Sequence, residues 1–194
     1  MSSHTLLAWQ TTRRERVEEL CAVRQLAKAG GTAREEQVDW ALTLRLAAEF
    51  QGFARDLHNL TANIYVSRLA GARTASLEPL RLLFTSGRAL DRGNAHPGAL
   101  GADFARFGLT LWPTLEATNL RASSWNAALG QLNAARNAVA HDNPGEIADL
   151  VRRGCPPTLA SVERWRSSLD ELAETLDDVL ATFIEATLGP PRPW

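Results

Sequence analysis

Lysine is almost missing from this chain. Lys28 stands alone against twenty arginines in 194 residues, and the formal net charge is only -1. A chain so balanced does not coat nucleic acid by bulk charge, although a local basic groove remains open to it. Arginine's planar fork suits phosphate, but a GC-rich gene produces the same excess, and composition leaves both explanations standing. Cysteine is scarce too. Cys21 and Cys155 are too few for a disulfide framework and lack metal-ligand spacing, so two packed thiols in a reducing compartment are expected. No apolar run approaches the length of a membrane span. Met1 to Gln10 lacks the basic start and apolar run of a secretion signal. The expected setting is therefore cytoplasmic, with no membrane partner. The four histidines form no HExxH or similar pattern, so neither a metal nor another cofactor is expected. Alternating strand patterns and internal repeats are also lacking.

What is there is helical spacing nearly throughout. From Arg13 to Ala29, Val17, Leu20, Cys21 and Val23 follow helical steps, and Gly30-Gly31 is expected to stop this helix. Thr32 is spaced to cap the next one, with Glu35 in capping-box register. That second helix is expected over about 34–69, on the stripe Val38, Leu42, Leu46, Phe50, Phe53, Leu57, Leu60 and Ile64. Gly52 inside it marks a kink or a close helix contact. A third helix is expected from Ser76 to Leu90, then a loop from Asp91 to Gly98, and a short helix from Asp103 to Phe107. Trp112-Pro113 is expected to begin a turn. Ser123 or Ser124 is placed to cap a helix running to about His141, which Asp142-Asn143-Pro144-Gly145 breaks, because the residue before proline avoids helical angles. A short helix over 146–153 and a stop at 154–157 follow. Thr158 or Ser161 then opens a long helix with Val162, Trp165, Leu169, Leu172, Leu176, Val179, Phe183 and Ile184 as its buried stripe. The expected fold is all-α: an antiparallel helical bundle with extra short helices, one domain over 1–194. Residues 1–12 are expected as an N-terminal lead and 189–194 as an extended or disordered proline-rich tail.

The segment Arg136-Asn137-Ala138-Val139-Ala140-His141 carries the chemistry. Leu129, Leu132 and Val139 are expected to face the core. Asn137 and His141 share a helix face, whereas Arg136 and His141 lie roughly 140° apart around the axis. One helix does not easily aim both at one small atom; two copies packed across a twofold axis can. The residue types suit RNA. A histidine can take the proton from a 2′-hydroxyl, and the alkoxide then attacks the adjacent phosphorus to leave a cyclic phosphate. Arginine can hold the phosphate oxygens as charge grows, and asparagine can orient either group. The requirement for a 2′-hydroxyl would exclude DNA. Read from the residues alone, the segment also fits a surface helix end whose arginine and histidine satisfy terminal carbonyls.

The form RNxxxH resembles the R-x4-H motif of the HEPN domain family, including its usual polar residue after the arginine. Gly93-Asn94, Pro97, Phe104, Phe107-Gly108-Leu109 and Trp112 resemble the stretch preceding the motif in the RiboL-PSP branch of that family, and the helix holding Glu49-Phe50 is similar to its first long core helix. The resemblance implies a HEPN-like bundle that dimerises to form a composite, metal-independent endoribonuclease site. It implies roles as a toxin, in phage defence or in stress responses, with RNA as substrate and an antitoxin or regulatory protein as a possible partner. Arg136, Asn137 and His141 carry over as catalytic residues. Members silenced by a nucleotidyltransferase often carry a tyrosine two residues after the histidine. Here that position is Asn143, and the sole tyrosine is Tyr65. Two alternatives are a HEPN module that binds a partner protein or nucleotide without cutting, and a helical domain unrelated to HEPN.

Three further residues are candidates for support. Glu49 is placed to pair with Arg136 or Arg45, His58 to line the cleft, and Asn94, with His96, to reach substrate from the polar loop. Arg13-Arg14-Arg16, Arg152-Arg153 and Arg164-Arg166 could track an RNA backbone, but they lie among carboxylates, which favours solvated mixed faces. Trp40, Trp125 and Trp165 read as packing. Trp9, Trp112 and Trp194 stay open between core and partner surface.

Overall fold

The computed structural model describes residues 1–27, 31–71 and 77–194, and among them all regular structure is helical. The end of the first helix at Ala29, its stop at Gly30 and the helix start at Ser76 lie outside the described residues.

The elements run as follows: α1 (His4–Ala8), a π-helical turn (Trp9–Arg13), α2 (Arg14–Ala27), α3 (Thr32–Ala70), α4 (Glu78–Thr85), α5 (Ala89–Arg92), α6 (Pro97–Phe104), a 3-10 turn (Ala105–Phe107), α7 (Leu111–Thr118), α8 (Ala122–Ala140), α9 (Pro144–Arg152) and α10 (Leu159–Leu188). The long α3 spans roughly 58 Å at the helical rise per residue. It packs along α2, α8 and α10, and α8 also packs on α10. Leu42, Leu46, Phe50, Phe53 and Leu57 of α3 form one buried cluster with Trp125, Leu129 and Leu132 of α8 and the stripe Val162, Trp165, Leu169, Leu172 and Leu176 of α10. These are the residues whose spacing marks the stripes in the sequence.

Several local expectations change. Most of the N-terminal lead is helical, from His4 onward. Ser3 caps α1 by accepting the Leu6 N–H at 3.1 Å, its own N–H donates to Asp177 of α10, and Trp9 is buried with its indole N–H on Asp170 at 2.9 Å. Gly31, not Thr32, stands before α3, with φ 84°, a region open to glycine and costly for threonine. Trp112-Pro113 lies in the first turn of α7 rather than in a turn before it. Proline is tolerated there because that backbone N–H has no helical partner to lose. Arg121, not Ser123 or Ser124, stands before α8. The loop expected over 91–98 is shorter, because α5 takes its start and α6 begins at Pro97. Val139 is half-buried, and α8 enters the core instead through Ala135 and Ala138, whose small side chains allow close approach. The tail is docked: Arg68 donates to the Gly189 and Pro191 carbonyls, and Arg192 pairs with Asp178 of α10. Gly52 is a contact glycine. A Cβ there would sit 2.4 Å from Nη1 of Arg13, which lies across α3 between Glu49 and Asp56.

Candidate functional site at the end of α8

The expected motif helix is α8, and it ends where the sequence breaks it. His141 follows Ala140 as the C-cap, donating its N–H to the Asn137 carbonyl at 3.0 Å. Asp142 then takes φ 46°, and Asn143 caps α9 by accepting the Glu146 N–H at 3.2 Å. The position that holds a modifiable tyrosine in some resembling proteins thus has a structural duty here. Tyr65 lies on α3, donating to the Phe107 carbonyl at 3.3 Å.

Arg136 and Asn137 are half-buried and His141 is exposed. The guanidinium of Arg136 donates to Oδ1 of Asn137 at 3.2 Å, and among the described residues no carboxylate pairs with it. That contrasts with Arg13, Arg14, Arg16, Arg45, Arg121 and Arg166, all of which are ion-paired. A half-buried cation without a counter-charge suits an incoming anion. Asn137 Oδ1 also accepts from Nδ2 of Asn94 at 2.6 Å, across 43 residues of chain. With its oxygen taken by two donors, Asn137 has its amide nitrogen as the group left to act, and that nitrogen has no protein partner among the described residues.

Two hollows flank this helix end. One, of about 350 Å³, lies between α8 and α9 and is lined by Ala134, Asn137, Glu146, Asp149, Leu150 and Arg153. The other, of about 510 Å³, lies between α3 and α8, with Trp40, Leu44, Val139 and Asp142 in its walls.

The supporting residues divide. Asn94 joins the site. Glu49 does not pair with Arg136: it is 4% exposed and held by Arg13 at 2.7 Å, Arg45 at 2.9 Å and Arg16 at 3.4 Å, so it ties α2 to α3. The Arg45 pairing follows from its helical spacing, whereas the others depend on α2 packing across α3. His58 lines no cleft, being 0% exposed against Phe104 and Phe107. Its Nδ1 faces the Arg88 guanidinium at 3.1 Å and its Nε2 faces the Asp103 carbonyl at 3.1 Å. Arginine can only donate, so Nδ1 is the bare nitrogen and the proton sits on Nε2. Burial pushes its pKa down to about 4, and the nearby Arg88 charge adds to the effect. His96 accepts the Ala99 N–H at 3.3 Å and caps α6.

Sequence reading passed over Gln51 and Asn133. Gln51 donates to the Gly93 and Leu90 carbonyls at 2.7 and 3.0 Å, and Asn133 donates to the Ala95 carbonyl at 3.2 Å. A polar residue interrupting a helical apolar stripe was the available signal: Asn133 follows Leu132 and is itself buried. No helix among the described residues is long and apolar enough to cross a membrane, and no group of histidine, cysteine and acidic residues there could hold a metal ion.

Comparisons with protein-family models, curated proteins and solved structures gave no match.

Proposed function

We propose that this chain is a metal-independent endoribonuclease of the HEPN type, acting as a homodimer in which two α8 ends meet. One observation carries the reading: the RNxxxH segment closes a helix with Arg136 free of carboxylate among the described residues and Asn137 held in place by Asn94. In the proposed reaction His141 removes the 2′-hydroxyl proton of RNA, O2′ attacks the adjacent phosphorus, and the P–O5′ bond breaks. The leaving oxygen takes a proton from solvent water, and His141 returns the proton it took to the hydroxide left behind. Arg136 and the Asn137 amide hold the phosphate oxygens as charge builds on them. The products are a 2′,3′-cyclic phosphate and a 5′-hydroxyl. The roughly 140° between Arg136 and His141 around an ideal helix is why two copies are invoked. Such an activity fits a toxin, a phage-defence effector or a stress effector, restrained by an antitoxin or regulatory protein.

The test is direct. Purified protein in EDTA should cut RNA and leave cyclic phosphate ends, with no action on DNA of the same sequence. His141→Ala should abolish cutting while its circular dichroism and melting stay near wild type. Equal cutting by that variant overturns the proposal.

A further inference from the structure

The loop holding Asn94 is gripped on both sides by side-chain amides from two different helices. From α3, the two N–H bonds of the Gln51 amide reach the carbonyls of Leu90 and Gly93. From α8, the Asn133 amide reaches the Ala95 carbonyl while also holding the Leu129 carbonyl of its own helix. Asn94 lies between Gly93 and Ala95, so its backbone is fixed immediately before and immediately after it. Its own Nδ2 then donates to Oδ1 of Asn137 at 2.6 Å.

We infer that Gln51 and Asn133 are positioning residues of the α8 site, acting through Asn94 to aim the Asn137 amide nitrogen outward as a fixed donor for a phosphate oxygen. This rests on the ribonuclease reading above. An unbraced asparagine at the last turn of a helix samples several rotamers and can exchange its oxygen and nitrogen by rotation. The rotation is blocked here because Oδ1 is the only group that can accept from both Asn94 and Arg136. The same oxygen keeps the Arg136 guanidinium beside Asn137, so one brace orders two phosphate-binding groups before substrate arrives. Preorganisation of this kind acts on the chemical step, where oxygens gain charge, more than on substrate capture.

The experiment compares Gln51→Ala, Asn94→Ala, Asn137→Ala and the double variants Q51A/N137A and N94A/N137A, in steady-state cutting of a short RNA. Gln51→Ala and Asn94→Ala should each lower kcat by about tenfold with KM within about twofold, the pattern of an interaction realised in the transition state. On the Asn137→Ala background neither should cause further loss, because both act through that residue. In the free protein, nuclear magnetic resonance should show Gln51→Ala moving the side-chain amide signals of Asn94 and Asn137. Unchanged kcat in both single variants, or losses that simply multiply in the double variants, would overturn the brace. So would unmoved Asn94 and Asn137 signals. If Gln51→Ala fails to fold, Gln51→Glu, close in size but without the amide donor, takes its place in the cycle with the same outcomes. Failure of the wild-type chain to cut RNA strikes the ribonuclease reading instead, and with it any catalytic role for the brace.

Discussion

Asn94 donates to Asn137 at 2.6 Å across 43 residues, and this contact connects the irregular middle of the chain to the last turns of α8. It gives the RNxxxH segment a built environment rather than a bare helix end, and it directs what should be measured.

The first prediction concerns the composite site. Arg136→Ala and His141→Ala should each be inactive alone. Mixed and allowed to exchange subunits, they should regain about a quarter of wild-type cutting, since half the dimers are mixed and each mixed dimer has one intact site. No recovery, with exchange confirmed by native mass spectrometry, means that each copy uses its own arginine and histidine.

The second concerns acid. His58 is neutral when folded, with a pKa near 4, but titrates near 6.5 when unfolded. The unfolded state therefore binds the extra proton between those values, so stability falls as pH drops from about 6.5 towards 4. The full effect is about 3 kcal/mol, reached near pH 4. Above pH 7 the effect vanishes, because the ring is neutral in both states. Urea unfolding at several pH values should show the loss, and a nitrogen-detected titration should find the His58 ring uncharged at pH 5. A ring charged at that pH would contradict the Arg88–His58–Asp103 arrangement.

A third prediction turns on Glu49. Glu49→Gln removes the carboxylate shared by Arg13, Arg16 and Arg45, leaving Asp56 to Arg13 alone. About 2 kcal/mol of stability should be lost, less than for a fully buried pair because the arginines keep some contact with water. RNA cutting below the melting temperature should not change, since Glu49 does not touch Arg136. A selective fall in kcat would place Glu49 in the site after all.

Gly52 supplies a fourth. Alanine there is favoured in a helix by about 1 kcal/mol, yet its Cβ would displace the Arg13 guanidinium. Gly52→Ala should therefore destabilise the wild type and stabilise the Arg13→Ala variant. Chemical denaturation of the four proteins reads the reversal; the same sign in both backgrounds would mean that Arg13 moves aside freely.

Much of the bundle was legible because it is written in short-range repeats. The stripes of α3 and α10, the break at Asp142 to Gly145 and the motif itself all depend on residues within a turn or two of one another, and local backbone preference and side-chain periodicity suffice to expose them. Only the tertiary structure decided the rest. Glu49 goes to Arg13 and Arg16, rather than Arg136, because the π-helical turn and the start of α2 pack on α3, with the Arg13 guanidinium against Gly52. His58 becomes a buried neutral ring because α5 and α6 close over it, with Arg88 and Asp103 in place. Residues 4–12 become helix because Asp177 and Asp170 of α10 accept the N–H groups of Ser3 and Trp9. Asn94 meets Asn137 because Gln51 and Asn133 hold the loop on either side of it. In each case a polar group found its partner far along the chain, and a hydrogen bond of that kind leaves no period in the sequence for a reader to follow.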